Sequence, residues 1–280
     1  MSVLAMLSVA ALTTQRADAQ PATAAAVVQP RCPADMVQVN VFCIDRFEAA
    51  MVDKVTGQAL SPYYPPNPKL MRDVHRAWEH LRLITGDVAS RAMPLPEVST
   101  WQASTSFEPK AVSRFGVVPQ GYVSYHTAKL ACENAGKRLC SEDEWITACR
   151  GSRQTKHPYG QDFQRGPCNV YRFLHPAFVL HGLSSAGHLD PRLNLLMVAG
   201  DAPVLRLTGE SQGCASKWGS DAAMDMVGNL DEWVEGKKAP HFRGGFYARS
   251  TTKGCDSEVK NHGQTYYDYS TGARCCSNPR

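Results

Sequence analysis

From Met36 to Phe42 the chain reads Met-Val-Gln-Val-Asn-Val-Phe, a run rich in β-branched and apolar side chains that predicts strand. Cys32 and Cys43 bracket it closely enough to staple a small hairpin. The proline-dense "SPYYPPNPKL" cannot form a central strand and is expected to run over the surface. In "LMRDVHRAWEHLRLI", Leu70, Val74, Ala77, Leu81 and Ile84 recur at near-helical spacing, predicting an amphipathic helix that stops at Gly86. The clearest pattern lies in "VSYHTAKLACENAGKRLCSEDEWITACRG". Ser124 can cap a helix that runs through Ala135 and closes on a left-handed Gly136. Ser141 and Glu144 form a Ser-x-x-Glu capping box opening a second helix that ends near Gly151. Ala128 with Cys132, and Trp145 with Cys149, are four residues apart, so each helix is expected to turn a cysteine inward. From Pro158 onward short apolar runs between glycines and prolines predict little regular structure. The pattern favours one compact, loop-rich domain of mixed helix and strand over residues 32–280.

Composition then narrows the setting. The first nineteen residues, "MSVLAMLSVAALTTQRADA", form a short apolar run ending in Ala-Asp-Ala, the small-x-small pattern of a signal peptide, and residues 20–31 read as a flexible lead-in. Secretion or periplasmic residence is the expectation. The apolar run is shorter than the ~20 residues a spanning helix needs, so no membrane span is expected. A net charge of +4 with scattered Lys and Arg argues against a nucleic-acid partner. All ten cysteines lie beyond the leader, and an even number in an oxidising compartment points to five disulfides. Adjacent Cys275 and Cys276 point to opposite faces of an extended chain, so each must tie to a different partner.

One acidic stretch carries candidate chemistry. "DMVGNLDEWV", residues 225–234, places Asp225, Asn229, Asp231 and Glu232 around Gly228. As a helix it would present a solvated stripe, but Gly228 interrupts the helix, and Met226, Val227, Leu230 and Trp233 demand burial. Burying several acids beside them costs several kcal/mol unless a cation compensates. Calcium, which takes six to eight oxygen ligands, suits such a loop.

Taken in chain order, "MVQVNVFCIDRFEA", the two-helix segment, "HPYG", "CNV", "DMVGNLDEWVEG", "FRGGFYAR" and "TGARCC" resemble the signatures of the sulfatase-modifying-factor, or formylglycine-generating-enzyme, domain. The resemblance implies an α+β, loop-rich, C-type-lectin-like fold, disulfide-stapled and supported by structural calcium. It places one calcium site on the Asp225 and Glu232 side chains with the carbonyls of Val227 and Leu230 and a contribution from Asn229, and a second on Asn169 and Val170. It also implies disulfides Cys132–Cys275 and Cys149–Cys255. Under the same resemblance Cys140 falls where the C-terminus returns and takes Cys276, leaving Cys168 with Cys214 and Cys32 with Cys43.

The family's oxidases hold copper(I) on two cysteines after a Gly-Gly-Ser signature, a soft ion on soft ligands. At the first of these positions stands Arg249; the second falls near Gly254, one residue before Cys255, the sole catalytic candidate. The signature serine is Phe246, and the tryptophan of the family's "NVWEW" is Asp231. Copper is therefore not expected. Iron-dependent relatives use histidine sets; here no His-x-x-x-His occurs, and His175, His181 and His188 form only a loose cluster. The reading is a secreted, calcium-binding member that engages an unknown protein or small-molecule ligand or acts in an accessory role. The alternative is an active metal-dependent oxidase that generates formylglycine or oxidises a thiol through Cys255 or the histidines.

Overall fold

The structure is a computed structural model and describes residues 31–170, 175–198, 202–249 and 251–279. The leader over 1–19 and the lead-in up to residue 30 lie outside the described residues. From Arg31 the chain packs as one unit.

Its elements are short and arise in chain order. The opening hairpin is β1 (Met36–Val39) and β2 (Phe42–Asp45), joined through Asn40, which takes a left-handed φ of 49°, and an exposed Val41. β3 (Ala49–Asp53) leads to α1 (Pro68–Leu81), which begins where Asn67 accepts the N–H groups of Lys69 and Leu70 and Pro68 fills the first turn. Then come α2 (Val88–Ala92), α3 (Thr100–Ser104), β4 (Pro109–Ser113), α4 (Tyr125–Asn134), β5 (Arg138–Leu139) and α5 (Glu142–Arg150). Ser124 caps α4, Gly136 follows it at φ 69°, and the Ser141–Glu144 capping box opens α5. The rest comprises α6 (Pro176–His181), β6 (Met197–Val198), β7 (Ala202–Pro203), β8 (Ala215–Trp218), β9 (Asp221–Met224), β10 (Asp231–Val234), β11 (His241–Arg243), β12 (Glu258–Val259), β13 (Thr271–Ala273) and β14 (Cys275–Ser277).

Two four-stranded sheets organise these pieces, ordered β1-β2-β14-β5 and β12-β11-β10-β13, with β3-β4, β6-β7 and β8-β9 as separate pairs. Only the β10–β13 pairing in the second sheet is parallel; it sets Glu232 opposite Gly272, while antiparallel β11 sets Glu232 opposite Arg243. The late half of the chain thus holds more regular structure than its glycine and proline content predicts, because strands of two to four residues leave no readable period.

Two local expectations are corrected. The helix predicted as far as Gly86 ends at Leu81, with Leu83 and Ile84 exposed. The proline-rich segment is not wholly superficial: Tyr64 is fully buried, its hydroxyl donating to the Pro96 carbonyl at 2.9 Å, and Pro65 and Pro66 are buried beside it. Proline carries no N–H to satisfy, so this burial leaves no orphaned donor.

The core divides into three apolar clusters. One joins α1 and α4 to Trp233 and Phe242, whose rings meet edge to face at 4.0 Å. A second gathers Trp145, Ile44, Val37 and six cysteines behind α5, and a third packs Tyr122, Leu193, Phe246, Tyr247 and Tyr269. Sulfur ties them together. The bridges are Cys32–Cys43, Cys132–Cys275, Cys140–Cys276, Cys149–Cys255 and Cys168–Cys214, the five pairs that the sequence resemblance implies, and no cysteine is free. Three of them close loops of more than a hundred residues. In the chain-entropy account such loops contribute roughly 4 to 5 kcal/mol each, which suits a fold with so little continuous helix or sheet.

Candidate functional site

The acidic stretch is not a helix. Asp225 and Asn229 take left-handed φ values of 57° and 60°, and Gly228 between them sits at 84°. A Cβ at Gly228 would lie 2.3 Å from the Asn169 carbonyl oxygen, so only glycine admits the loop at this approach. Asn229 locks the loop through its amide. Its Oδ1 accepts from Asn169 Nδ2 at 2.9 Å and from the Arg206 N–H at 3.0 Å, and its Nδ2 donates to Glu48 at 2.6 Å. The Asn169 carbonyl accepts the Asn229 N–H in return. The two residue sets expected to bind separate calcium ions therefore adjoin, and Asn229 already fills its amide oxygen with two donors.

Around this loop three carboxylates converge on one guanidinium. Glu232, in the middle sheet position of β10, binds Arg274 at 2.8 Å and accepts Trp145 Nε1 at 2.6 Å. Arg274 also donates to the carbonyls of Asp45 and Met224. Asp225 accepts the Gly209 N–H at 2.7 Å. Glu48, which the sequence reading did not single out, accepts from Asn229 and from the Leu230 N–H at 3.2 Å. All four charged residues are at most 3% exposed. Burial pushes the Asp225 carboxyl up to about 6. Burial, and then the charges of Asp225 and Glu232, hold Glu48 well above its ordinary value. The Val227 carbonyl lies 3.4 Å from Cys214 Sγ, facing the Cys168–Cys214 bridge, and Leu230 is buried behind Gly272. Glu48 could have been noticed as a lone acid between Phe47 and Ala49.

Arg249, which the sequence resemblance aligns with the family's first copper cysteine, is engaged in an ion pair. It makes a two-point ion pair with Asp231, Nη1 to Oδ1 at 3.1 Å and Nη2 to Oδ2 at 2.7 Å, with its guanidinium carbon 5.3 Å from the Phe246 ring. The three departures noted in the sequence, Arg249, Asp231 and Phe246, are thus one contact set. Burial raises Asp231 to about 7 even beside this arginine. Cys255 is fully buried in its bridge to Cys149, its N–H donating to the Lys156 carbonyl at 2.9 Å. Gly254 before it has φ 59° and no room for a Cβ, which would meet that same carbonyl at 2.3 Å.

The histidines do not form one cluster. His175 Nε2 meets Tyr269 Oη at 2.9 Å, and the His188 ring lies 6.1 Å from that of His175. His181 instead faces Asp190 at 3.1 Å and packs on Trp78. Among the described residues no helix is long and apolar enough to cross a membrane.

No curated protein matches the sequence. Among solved structures, the crystal structure of CarF is similar at 14% identity and a TM-score of 0.40, covering 85% of this chain and 87% of that one. A Major Tropism Determinant U1 variant is similar at 14% identity and a TM-score of 0.33, covering 89% of this chain and 54% of its own. The sulfatase-modifying factor enzyme 1-like domain matches residues 11–278, nearly the whole sequence, and the chain belongs to that family.

Proposed function

We propose that this protein is an exported, calcium-binding member of its family that works by binding or in an accessory role, without copper-dependent oxidation of cysteine. The observation that carries the reading is the pairing of Arg249 with Asp231 where the oxidases keep a thiolate. A guanidinium cannot ligate copper(I), and removing it would leave a buried carboxylate unpaired. The bridging of Cys255 to Cys149 supports the same reading, since a disulfide sulfur offers no thiolate. Ten cysteines without a free thiol fit an oxidising compartment.

Calcium finds support in charge. With Glu48, Asp225 and Glu232 ionised against Arg274, the cluster keeps an excess of negative charge in the core, which a divalent ion offsets. Asp225, Glu232 and Glu48 would supply the carboxylate oxygens, with backbone carbonyls completing the shell.

A direct test incubates the purified protein with copper(I), oxygen and a Cys-x-Pro-x-Arg peptide. No aldehyde should form in the peptide; aldehyde at a rate above the metal-only control overturns the reading in favour of an active oxidase.

A further inference from the structure

At the outer edge of the second sheet, β11 and β12 meet the start of α5 and bring Glu142, His241 and Glu258 together, each with a ligand atom within 4.8 Å of the others. We propose that these three residues form a site for a zinc-like divalent cation, separate from the buried cluster around Arg274.

Charge alone does not call for an ion here. Arg243 Nη2 bridges Glu142 and Glu258, and Lys260 lies 2.7 Å from Glu258, so two cations already answer two anions. The need arises at His241. Its ring is 3% exposed, and Nδ1 lies 3.2 Å from the Ala239 carbonyl, an acceptor that fixes the proton on that nitrogen. Nε2 is then a buried lone pair without a hydrogen-bond partner. It points at Glu142 Oε1, 3.4 Å away, where it meets another acceptor.

A metal ion resolves this arrangement. Histidine ligands characteristically donate their other ring N–H to a carbonyl or carboxylate, as His241 does to Ala239. A tetrahedral zinc with bonds of about 2.0 to 2.1 Å holds its ligand atoms about 3.3 Å apart, close to the His241–Glu142 spacing. Glu258, on the exposed rim, has freedom to close the third edge. The loop over the ring is tight: a Cβ at Gly236 would come within 2.5 Å of His241 Nδ1, so glycine there lets the chain wrap the imidazole and fix its direction. A cavity of about 430 Å³ lined by Glu142, His241, Lys237, Lys238 and Lys260 adjoins the site and leaves room for water in a fourth position. Zinc entry displaces the Arg243 and Lys260 contacts from the two carboxylates, and with every cysteine bridged no thiolate competes for it.

The test is calorimetric titration of the full chain with zinc chloride, with calcium in excess to fill the buried acid cluster. Parent protein should bind zinc, and H241Q and E258Q should each weaken that binding roughly 10-fold or more. Cobalt(II) in place of zinc should give the intense visible bands of a tetrahedral site in the parent and lose them in H241Q. Absence of zinc binding by the parent, or zinc binding by H241Q within about twofold of the parent, overturns the proposal. Circular dichroism checks folding; if H241Q does not fold, E258Q on the solvent edge decides by the same criterion.

Discussion

The two carboxylate clusters of this protein present opposite problems. Around Arg274, the hydrogen bonds of Glu48, Asp225 and Glu232 are well supplied while the charge is out of balance. Around Arg243, the charge is balanced while one lone pair is left facing a carboxylate. A charge excess in the core favours a hard cation held by oxygens, and it can also be relieved by a proton. An imidazole nitrogen facing a carboxylate calls for a different remedy, a borderline metal that accepts nitrogen or a proton shared with the acid. Counting acids therefore does not distinguish the sites; the partner of each polar atom does.

The largest effect expected follows from Arg274. Replacing it with Met leaves three buried carboxylates without their guanidinium and should cost about 3 to 5 kcal/mol in urea unfolding. Added calcium should restore part of the loss if the cluster takes that ion; no restoration would leave protonation as its only relief.

A smaller effect appears with pH. Unfolded carboxylates ionise near pH 4, whereas in the fold burial raises Asp45 and Asp225 to about 6 and Asp231 to about 7. The stability these protons carry is whole below pH 4 and is lost as pH rises through 6 to 7. Asp190, Glu142 and Glu144 are shifted downward, so their opposite contribution is complete by about pH 5. Alone these three carboxyls would remove about 5 kcal/mol between pH 5 and 7; the lowered imidazoles of His157, His175, His241 and His262 gain stability over the same window and offset part of it, so calcium-free protein should show a net loss of roughly a few kcal/mol. Calcium should remove the Asp225 share of that decline, because it binds the ionised form, and leave the shares of Asp45 and Asp231. A melting temperature that rises over this window would contradict the assignment.

The smallest change expected is E48Q. If Glu48 is held neutral, its amide analogue should alter ion-free stability by no more than about 1 kcal/mol while removing the gain from calcium. A loss above about 3 kcal/mol would mean that Glu48 is ionised in the fold.

The sequence reveals most of the parts that obey local rules. Caps at Ser124 and Ser141, the left-handed Gly136 and the inward cysteines of α4 and α5 are set within a few residues of one another and can be read directly. The Asp225–Glu232 loop is legible because its acids cannot be buried unaided. Glu48 and Arg274 are not, since they stand 226 residues apart and only the sheet pairing of β14 with β2 makes them neighbours. The same holds for Glu142, His241 and Glu258, which come from a helix start and two strands too short to show a period. Arg249 and Asp231 were each visible as a departure from the family pattern, but their compensation is a fact of three dimensions.

The adjacent cysteines at 275 and 276 reach back 143 and 136 residues to fasten α4 and the link that leads into α5. Neither clasp can close until synthesis has passed residue 276, so the segments they fasten wait on sulfurs made well over a hundred residues later. A product that stops before residue 275 would lose both fastenings at once.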